Sequence, residues 1–340
     1  PGATLSGLNA RTMRTALVAL GALCAVLHAE ATSPALGLRE RVLSRLMVAD
    51  FSKLPTVVQP RAQTERVPLL QARRSNFTPV VLMHGLGDAG SNPGMEQLAR
   101  TVSDAYPGKV SLAVNVSNGF LSYITPMQAQ VDEFAATVRA DPRLAGGFDA
   151  VGLSQGGIIV RAYVEQYNDP PVRNLIGVSG VMNGVFNCPL MMQIIPFVCE
   201  IYETDPYALD FILGFSEYFV LSQNKSLYLS GNPFLPALNG QTTVNETYKR
   251  NFESLNSVTL GMALNDTVVY PKESEQFGGY AWGTKDTVFT MRQADFYESN
   301  SFGLRTLDEA GKVSMVQYEG DHLRFSDAWW NANILPRLAG

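Results

Sequence analysis

The residues with the clearest chemical potential are Gly152-Leu153-Ser154-Gln155-Gly156, where the apolar run Phe148–Leu153 passes into a helical one. A serine in so tight a strand-to-helix turn is lifted clear of the backbone. Small residues two before and two after it let strand and helix pass closely, the context a nucleophilic serine needs. A turn serine without chemistry is the plain alternative, and the bare pattern does not separate the two. A nucleophile also needs a base. Outside the first 31 residues the histidines are His84 and His322, and only His322, in Glu319-Gly320-Asp321-His322, lies downstream of Ser154. The orienting acid is expected at the end of the preceding strand, where Asp266 directly follows Ser257–Leu264. Asp321 is the rival, but a carboxylate adjoining the histidine in sequence reaches the ring Nδ1 awkwardly. Asp286 and Asp295 have no strand behind them. Serine, histidine and aspartate together perform nucleophilic acyl transfer, and the backbone N–H groups of Leu86 and Gln155 are expected to hold the oxyanion. His84, which closes the first core strand, reads as structural.

Composition narrows the other chemistries. Lys and Arg number 26 against 31 Asp and Glu, a net charge of −5 without a basic cluster, so nucleic acid is not an expected partner. Three cysteines and the absence of a His-Glu-x-x-His run exclude a four-thiolate zinc site and the zinc-protease signature; no metal or other cofactor is expected. Gly85-Leu86-Gly87-Asp88-Ala89-Gly90 does satisfy the dinucleotide pattern G-x-G-x-x-G. That reading requires an acidic residue after the second strand, where Asn115-Val116-Ser117 stands, and Asn92-Pro93 delays the helix that would hold the pyrophosphate. A nicotinamide-dinucleotide protein is therefore the remote alternative.

The elements that must position these residues alternate. From Thr78 the pattern predicts strands at Pro79–Met83, Lys109–Asn115, Phe148–Leu153 and Asn174–Ser179, separated by helices near Gly94–Tyr106, Thr125–Arg139 and Gln155–Tyr167. Thr125 is expected to cap the second helix, with Pro126 at its first position. Continuous apolar strands joined by helices imply a mostly parallel sheet covered on both faces, an α/β domain over 78–340. Residues 184–250 break the rhythm with prolines, aromatics and the run Met191-Met192-Gln193-Ile194-Ile195-Pro196-Phe197, followed by an apolar helix around Tyr207–Leu221. This segment reads as an inserted helical cap whose Met191, Met192, Ile194, Ile195 and Phe197 could shelter an acyl chain; ordinary extra core is the alternative. Strands at Ser257–Leu264 and Lys312–Gln317 and a helix at Ser326–Leu338 complete the series.

Met13 and Arg14 precede the apolar run Ala16–Leu27 and then Ala29-Glu30-Ala31, which reads as a secretory signal peptide occupying 1–31. The run is far shorter than the roughly 20 residues that span a bilayer, and no other segment is long and apolar enough to do so. Residues 32–77 are Arg-rich and broken by prolines, and read as an N-terminal extension. Export gives meaning to the sequons at Asn76, Asn115, Asn224, Asn245 and Asn265 as glycosylation candidates. It also bears on Cys188 and Cys199, which would close a small loop in an oxidising compartment, with two buried free thiols as the alternative.

Taken together, Val81-Leu82-Met83-His84-Gly85-Leu86-Gly87-Asp88, Gly152–Gly157, Asn183-Gly184-Val185-Phe186, Leu264-Asn265-Asp266-Thr267, Phe277-Gly278, Asp308-Glu309-Ala310-Gly311 and Glu319-Gly320-Asp321-His322-Leu323 resemble the palmitoyl-protein thioesterases of the lysosomal type. The resemblance runs from about Thr78 to Gly340. It implies an α/β-hydrolase fold and Ser154, Asp266 and His322 as the triad. It further implies a Cys188–Cys199 disulfide, glycosylation at Asn265, and removal of long-chain acyl groups from S-acylated cysteines in the lysosome or outside the cell. Two alternatives keep part of this reading. A secreted lipase or carboxylesterase would share every catalytic residue, and an acyl carrier would keep the cap but lose the triad. Oligomeric state is not legible from the sequence.

Overall fold

The computed structural model describes residues 77–188, 196–210 and 213–340. The expected leader, the extension up to residue 76, the sequon at Asn76 and the run Met191–Ile195 lie outside them.

Six strands form one sheet: β1 (Val80–Met83), β2 (Ser111–Val114), β3 (Phe148–Leu153), β4 (Val172–Val178), β5 (Ser257–Ala263) and β8 (Val313–Tyr318). Their order is β2-β1-β3-β4-β5-β8 and every neighbouring pair is parallel. β6 (Gly279–Tyr280) and β7 (Val288–Phe289) make a separate antiparallel pair. The central strands β1 and β3 are buried along their whole length, whereas the edge strands β2 and β8 are only partly covered. That is the burial expected of apolar strands with helices on both faces. On one face Val80, Leu82, Val151, Leu153, Ile176 and Val178 pack with Met95, Val102, Trp330 and Leu338. On the other, Phe134 and Tyr163 meet edge to face with ring centroids 5.2 Å apart.

Helix α1 (Pro93–Ala105) begins with Pro93 in the first turn and Asn92 accepting the Gly94 N–H at 3.0 Å, the arrangement that satisfies an open helix end. Helix α2 (Met127–Ala140) departs from expectation at its start. Its capping position is Pro126, and the Thr125 side chain caps nothing. The Met127 N–H is taken by the carboxyl of Glu217 at 2.9 Å, from the 3-10 turn Gly214–Tyr218. A second departure lies in the same insertion. The helix expected around Tyr207–Leu221 is replaced, over the described residues, by 3-10 turns at Pro206–Leu209 and Gly214–Tyr218. Gly214 explains the second turn: a Cβ there would sit 1.9 Å from the Thr125 carbonyl oxygen, so the chain crosses the start of α2 in a contact no side chain allows. The insertion also contains α4 (Pro196–Thr204), α5 (Lys225–Gly231) and α6 (Glu246–Glu253). Cys188 and Cys199 are joined, with Cα atoms 5.3 Å apart. α6 packs on α3 (Gln155–Gln166), where Asn251 donates to the Glu165 carbonyl at 2.9 Å. The domain closes with α7 (Leu304–Glu309), β8, α8 (Asp327–Asn333) and a 3-10 turn Leu335–Leu338 in place of one continuous last helix.

From β1 the chain steps to β2 on one side and then to β3 on the other, so the strand order reverses at β1. The loops leaving β1 and β3 diverge there and open a crevice above the carboxyl ends of the strands, the usual ligand position in such sheets.

Candidate active site

Ser154 occupies that crevice, between β3 and α3, with φ 54° and ψ −122°. A side chain holds such a backbone conformation only where its surroundings enforce it, and the neighbouring glycines do so. A Cβ on Gly152 would lie 2.4 Å from the Gly156 carbonyl oxygen, and one on Gly156 would lie 2.3 Å from that of Met83. The two glycines thus let α3 rise directly off β3 and beside β1. Ser154 is largely buried.

His322 arrives on the loop after β8 and Asp266 on the loop after β5. His322 Nε2 lies 2.9 Å from Ser154 Oγ and His322 Nδ1 lies 2.6 Å from Asp266 Oδ2. A carboxylate on Nδ1 keeps the ring proton there, which leaves Nε2 as the acceptor of the serine hydroxyl. Burial alone would raise the Asp266 carboxyl, but the bond and charge of His322, the Glu275 side chain and the Val269 N–H hold it below the ordinary carboxylate value. Asp266 Oδ1 accepts the N–H groups of Val268 and Val269, both at 2.7 Å. Asp321 does something else. Its Oδ1 accepts from the N–H of His322 at 2.7 Å and from the N–H and hydroxyl of Thr267, both at 2.9 Å, tying the two loops together. Of the other acids weighed, Asp295 pairs with Lys225 at 3.0 Å on the surface and Asp286 is exposed. His84 is buried, with Nδ1 2.8 Å from the Gly85 carbonyl and Nε2 accepting the Val116 N–H at 3.4 Å.

The backbone before Leu86 runs against the serine: a Cβ on Gly85 would touch Ser154 Cβ at 3.0 Å. Leu86 follows Gly85 on the loop after β1, and Gln155 is the first residue of α3. Both segments are fixed by polar side chains that sequence reasoning did not single out. The Gln155 amide donates to Gln130 Oε1 at 2.7 Å and accepts from the Tyr218 hydroxyl at 3.0 Å. Gln130 in turn donates to the Thr125 carbonyl at 2.8 Å, and Ser122 Oγ accepts the Gly87 N–H at 2.7 Å. Gln130 lies on α2 in the midst of a buried apolar face, the one signal that could have marked it. Glu275 was missed for a different reason. It sits in the short turn Lys272–Gln276, where sequence shows only a charged stretch, yet it is 1% exposed beside Asp266.

A family model described as palmitoyl protein thioesterase matches residues 79–322. The chain belongs to that family. Palmitoyl-protein thioesterase 3 of Dictyostelium discoideum is 38% identical over 251 residues, covering 73% of this chain and 86% of its own. Palmitoyl-protein thioesterase 1 of Caenorhabditis elegans is 29% identical, with 72% and 86% covered, and the human lysosomal thioesterase PPT2 is 26% identical, with 76% and 85% covered. Among solved structures, a monoacylglycerol lipase of Paleococcus ferrophilus aligns at 15% identity and TM-score 0.40, covering 77% of this chain and 94% of its own. By its family the chain is a thioester hydrolase, and its parallel sheet, with the serine at a strand-to-helix turn, has the α/β-hydrolase arrangement.

In this thioesterase the glycine-rich loop serves packing. Gly87 has φ +77°, and a Cβ on Gly90 would lie 2.3 Å from the Val114 carbonyl, so the pattern that mimics a dinucleotide site lets the loop close against β2. The asparagines of the sequons at Asn115, Asn224, Asn245 and Asn265 are exposed, although Val116 and Ser117 of the first are buried. Of the acyl-site residues expected from sequence, Met191, Met192, Ile194 and Ile195 lie outside the described residues. Phe197 is described only as part of the backbone of α4. No helix among the described residues is long and apolar enough to cross a membrane.

Proposed function

We propose that Ser154 is the nucleophile, His322 the general base and Asp266 the acid that orients it, in an enzyme that removes long-chain acyl groups from cysteine thioesters of proteins. The observation that carries the assignment is the hydroxyl–imidazole–carboxylate relay at 2.9 and 2.6 Å in the crevice above the sheet. Ser154 Oγ attacks the thioester carbonyl as His322 Nε2 takes its proton. The oxyanion is held by the N–H groups of Leu86 and Gln155. Collapse releases the cysteine sulfur, which receives the proton from His322 and leaves an acyl-serine; water, deprotonated by His322, then frees the fatty acid and restores Ser154. A thiol of pKa about 8.5 departs with little acid assistance, so thioesters are cleaved more readily than oxygen esters and far more readily than amides.

The acyl preference is drawn from the family, whose Dictyostelium and Caenorhabditis members above carry palmitoyl-protein in their names, and the lysosome or another secretory compartment from relatives named lysosomal thioesterases. Segment 184–250 is proposed as the cap over the acyl chain, and the four exposed sequons as glycosylation sites. A comparison of an S-palmitoyl peptide with its matched oxygen ester, and of acyl groups of about 4 to 18 carbons, tests the reading. At about 0.8 kcal/mol per buried methylene, the longest chains should win in kcat/KM, and Ile195→Asp should flatten the profile. An optimum at the shortest chain, or preference for the oxygen ester, would assign the enzyme to the carboxylesterases instead.

A further inference from the structure

Glu275 is a buried acid that the reaction as derived does not use. Ligating atoms of Glu275, Asp266 and His322 all lie within 4.8 Å of one another. Glu275 Oε2 accepts the Ala263 N–H at 3.0 Å, whereas Oε1 is sealed from solvent and finds no hydrogen-bond partner among the described residues. Two ionised carboxylates so close in a buried site repel strongly, so the pair retains a proton between them. Asp266 is the member that keeps its charge, because two N–H groups and the imidazole already favour its anion. The proton then belongs on Glu275: its hydroxyl has Asp266 to donate to, and the Ser179 hydroxyl, the side-chain donor that favours the anion, counts for less than burial and the neighbouring Asp266. The titratable groups that face Glu275 are Asp266, His322 and Tyr318. Burial, and next the neighbouring Asp266, push the Glu275 carboxyl well above its ordinary value.

We propose that Glu275 is a positioning residue, a neutral carboxylic acid whose O–H donates to the Asp266 carboxylate and holds it against His322 Nδ1. It acts only through Asp266, and the inference rests on the triad assigned above. The test follows the second-order rate at which a fluorophosphonate labels Ser154, which reports nucleophile activation whichever acyl group the enzyme takes. Glu275→Leu, which cannot donate, should lower that rate by about tenfold or more, as for loss of a hydrogen bond to a charged group. Glu275→Gln, whose amide can donate to Asp266 while its carbonyl accepts from Ala263, should recover most of the loss. The pH at which labelling falls away in acid should be the same in Glu275→Gln as in the wild type, since one neutral group replaces another. An ionised Glu275 would instead favour the protonated imidazolium, and its removal would move that limb to lower pH. If Glu275→Leu fails to fold, the infrared difference between wild type and Glu275→Gln in mildly alkaline solution decides the protonation state: the carbonyl band of a protonated carboxylic acid is expected. A displaced acid limb, a missing band, or a Gln variant as impaired as the Leu variant overturns the inference. Intact labelling with no thioester preference would count against the substrate assignment alone.

Discussion

Two carboxylates sit near His322, and the bonds they make assign them different work. Asp266 faces the ring Nδ1, while Asp321 binds the backbone of His322 and Thr267. Asp266→Asn should lower kcat by about 10⁴-fold, since an amide in that place favours the wrong imidazole tautomer. Asp321→Asn, which loosens two loops but leaves the ring partner in place, should cost less than about tenfold. Equal losses in steady-state assays would show that the loop tie matters as much as the ring bond. Ser154→Ala should abolish both turnover and fluorophosphonate labelling with the thermal midpoint unchanged, because removal of a triad serine typically costs about 10⁶-fold. Retention of more than a few per cent of activity would place the nucleophile elsewhere.

At the scale of elements, the site depends on how closely α3 approaches β1 and β3. Gly156→Ala would put a Cβ 2.3 Å from the Met83 carbonyl oxygen and 2.6 Å from that of His84. Backbone atoms cannot swing aside as a side-chain end can, so α3 must shift, at a cost of about 1–3 kcal/mol or more. A fall of the thermal midpoint by at least about 5 °C is expected, together with most of the activity. Gly146→Ala provides the comparison, because a Cβ there meets nothing within 4 Å and Gly146 is not at positive φ; its midpoint should stay within about 1 °C. Similar midpoints for the two variants, measured by calorimetry, would mean that the elbow is not held by this contact. The insertion reaches the same region, where Tyr218 bonds Gln155 and Glu217 caps α2, so the start of α3 is braced from outside the sheet.

Across the whole molecule, buried acids set the pH dependence of stability. Asp149, near the amino end of β3 and 3.8 Å from Lys109 Nζ, is raised to about 6, chiefly by burial, and Glu217 is raised to about 7 by the same cause. Both folded-state values lie above those of the unfolded chain, so as pH rises from about 4 to 7 the unfolded state gives up these protons first and gains stability relative to the fold. The protein should therefore melt higher at about pH 5 than at about pH 8, by roughly 3–6 °C. Glu217→Gln, which can still accept the Met127 N–H, should reduce that difference. A midpoint that climbs across this range would show that other groups dominate.

The sheet was legible in sequence because each central strand is predominantly apolar and each crossing helix shows its own period; Asp149 is the charged exception within β3. The elbow was legible for a related reason, since the close crossing of α3 over β3 and β1 demands small residues at 152 and 156. Asp266 was legible from its place directly after β5 and His322 by elimination among two histidines; the family resemblance agreed with both and favoured the Cys188–Cys199 link over two free thiols. Tertiary structure alone decided the rest. Which carboxylate meets the imidazole depends on where two loops 56 residues apart converge, and no local pattern encodes that distance. The cap of α2 by Glu217, across 90 residues, and the tethering of Gln155 by Gln130 and Tyr218 are likewise pairings between distant segments. Glu275 is the clearest case. In sequence it is one charge in Lys272-Glu273-Ser274-Glu275; only folding removes its water, brings Asp266 beside it, and turns an ordinary surface residue type into a buried acid with one partner left to bond.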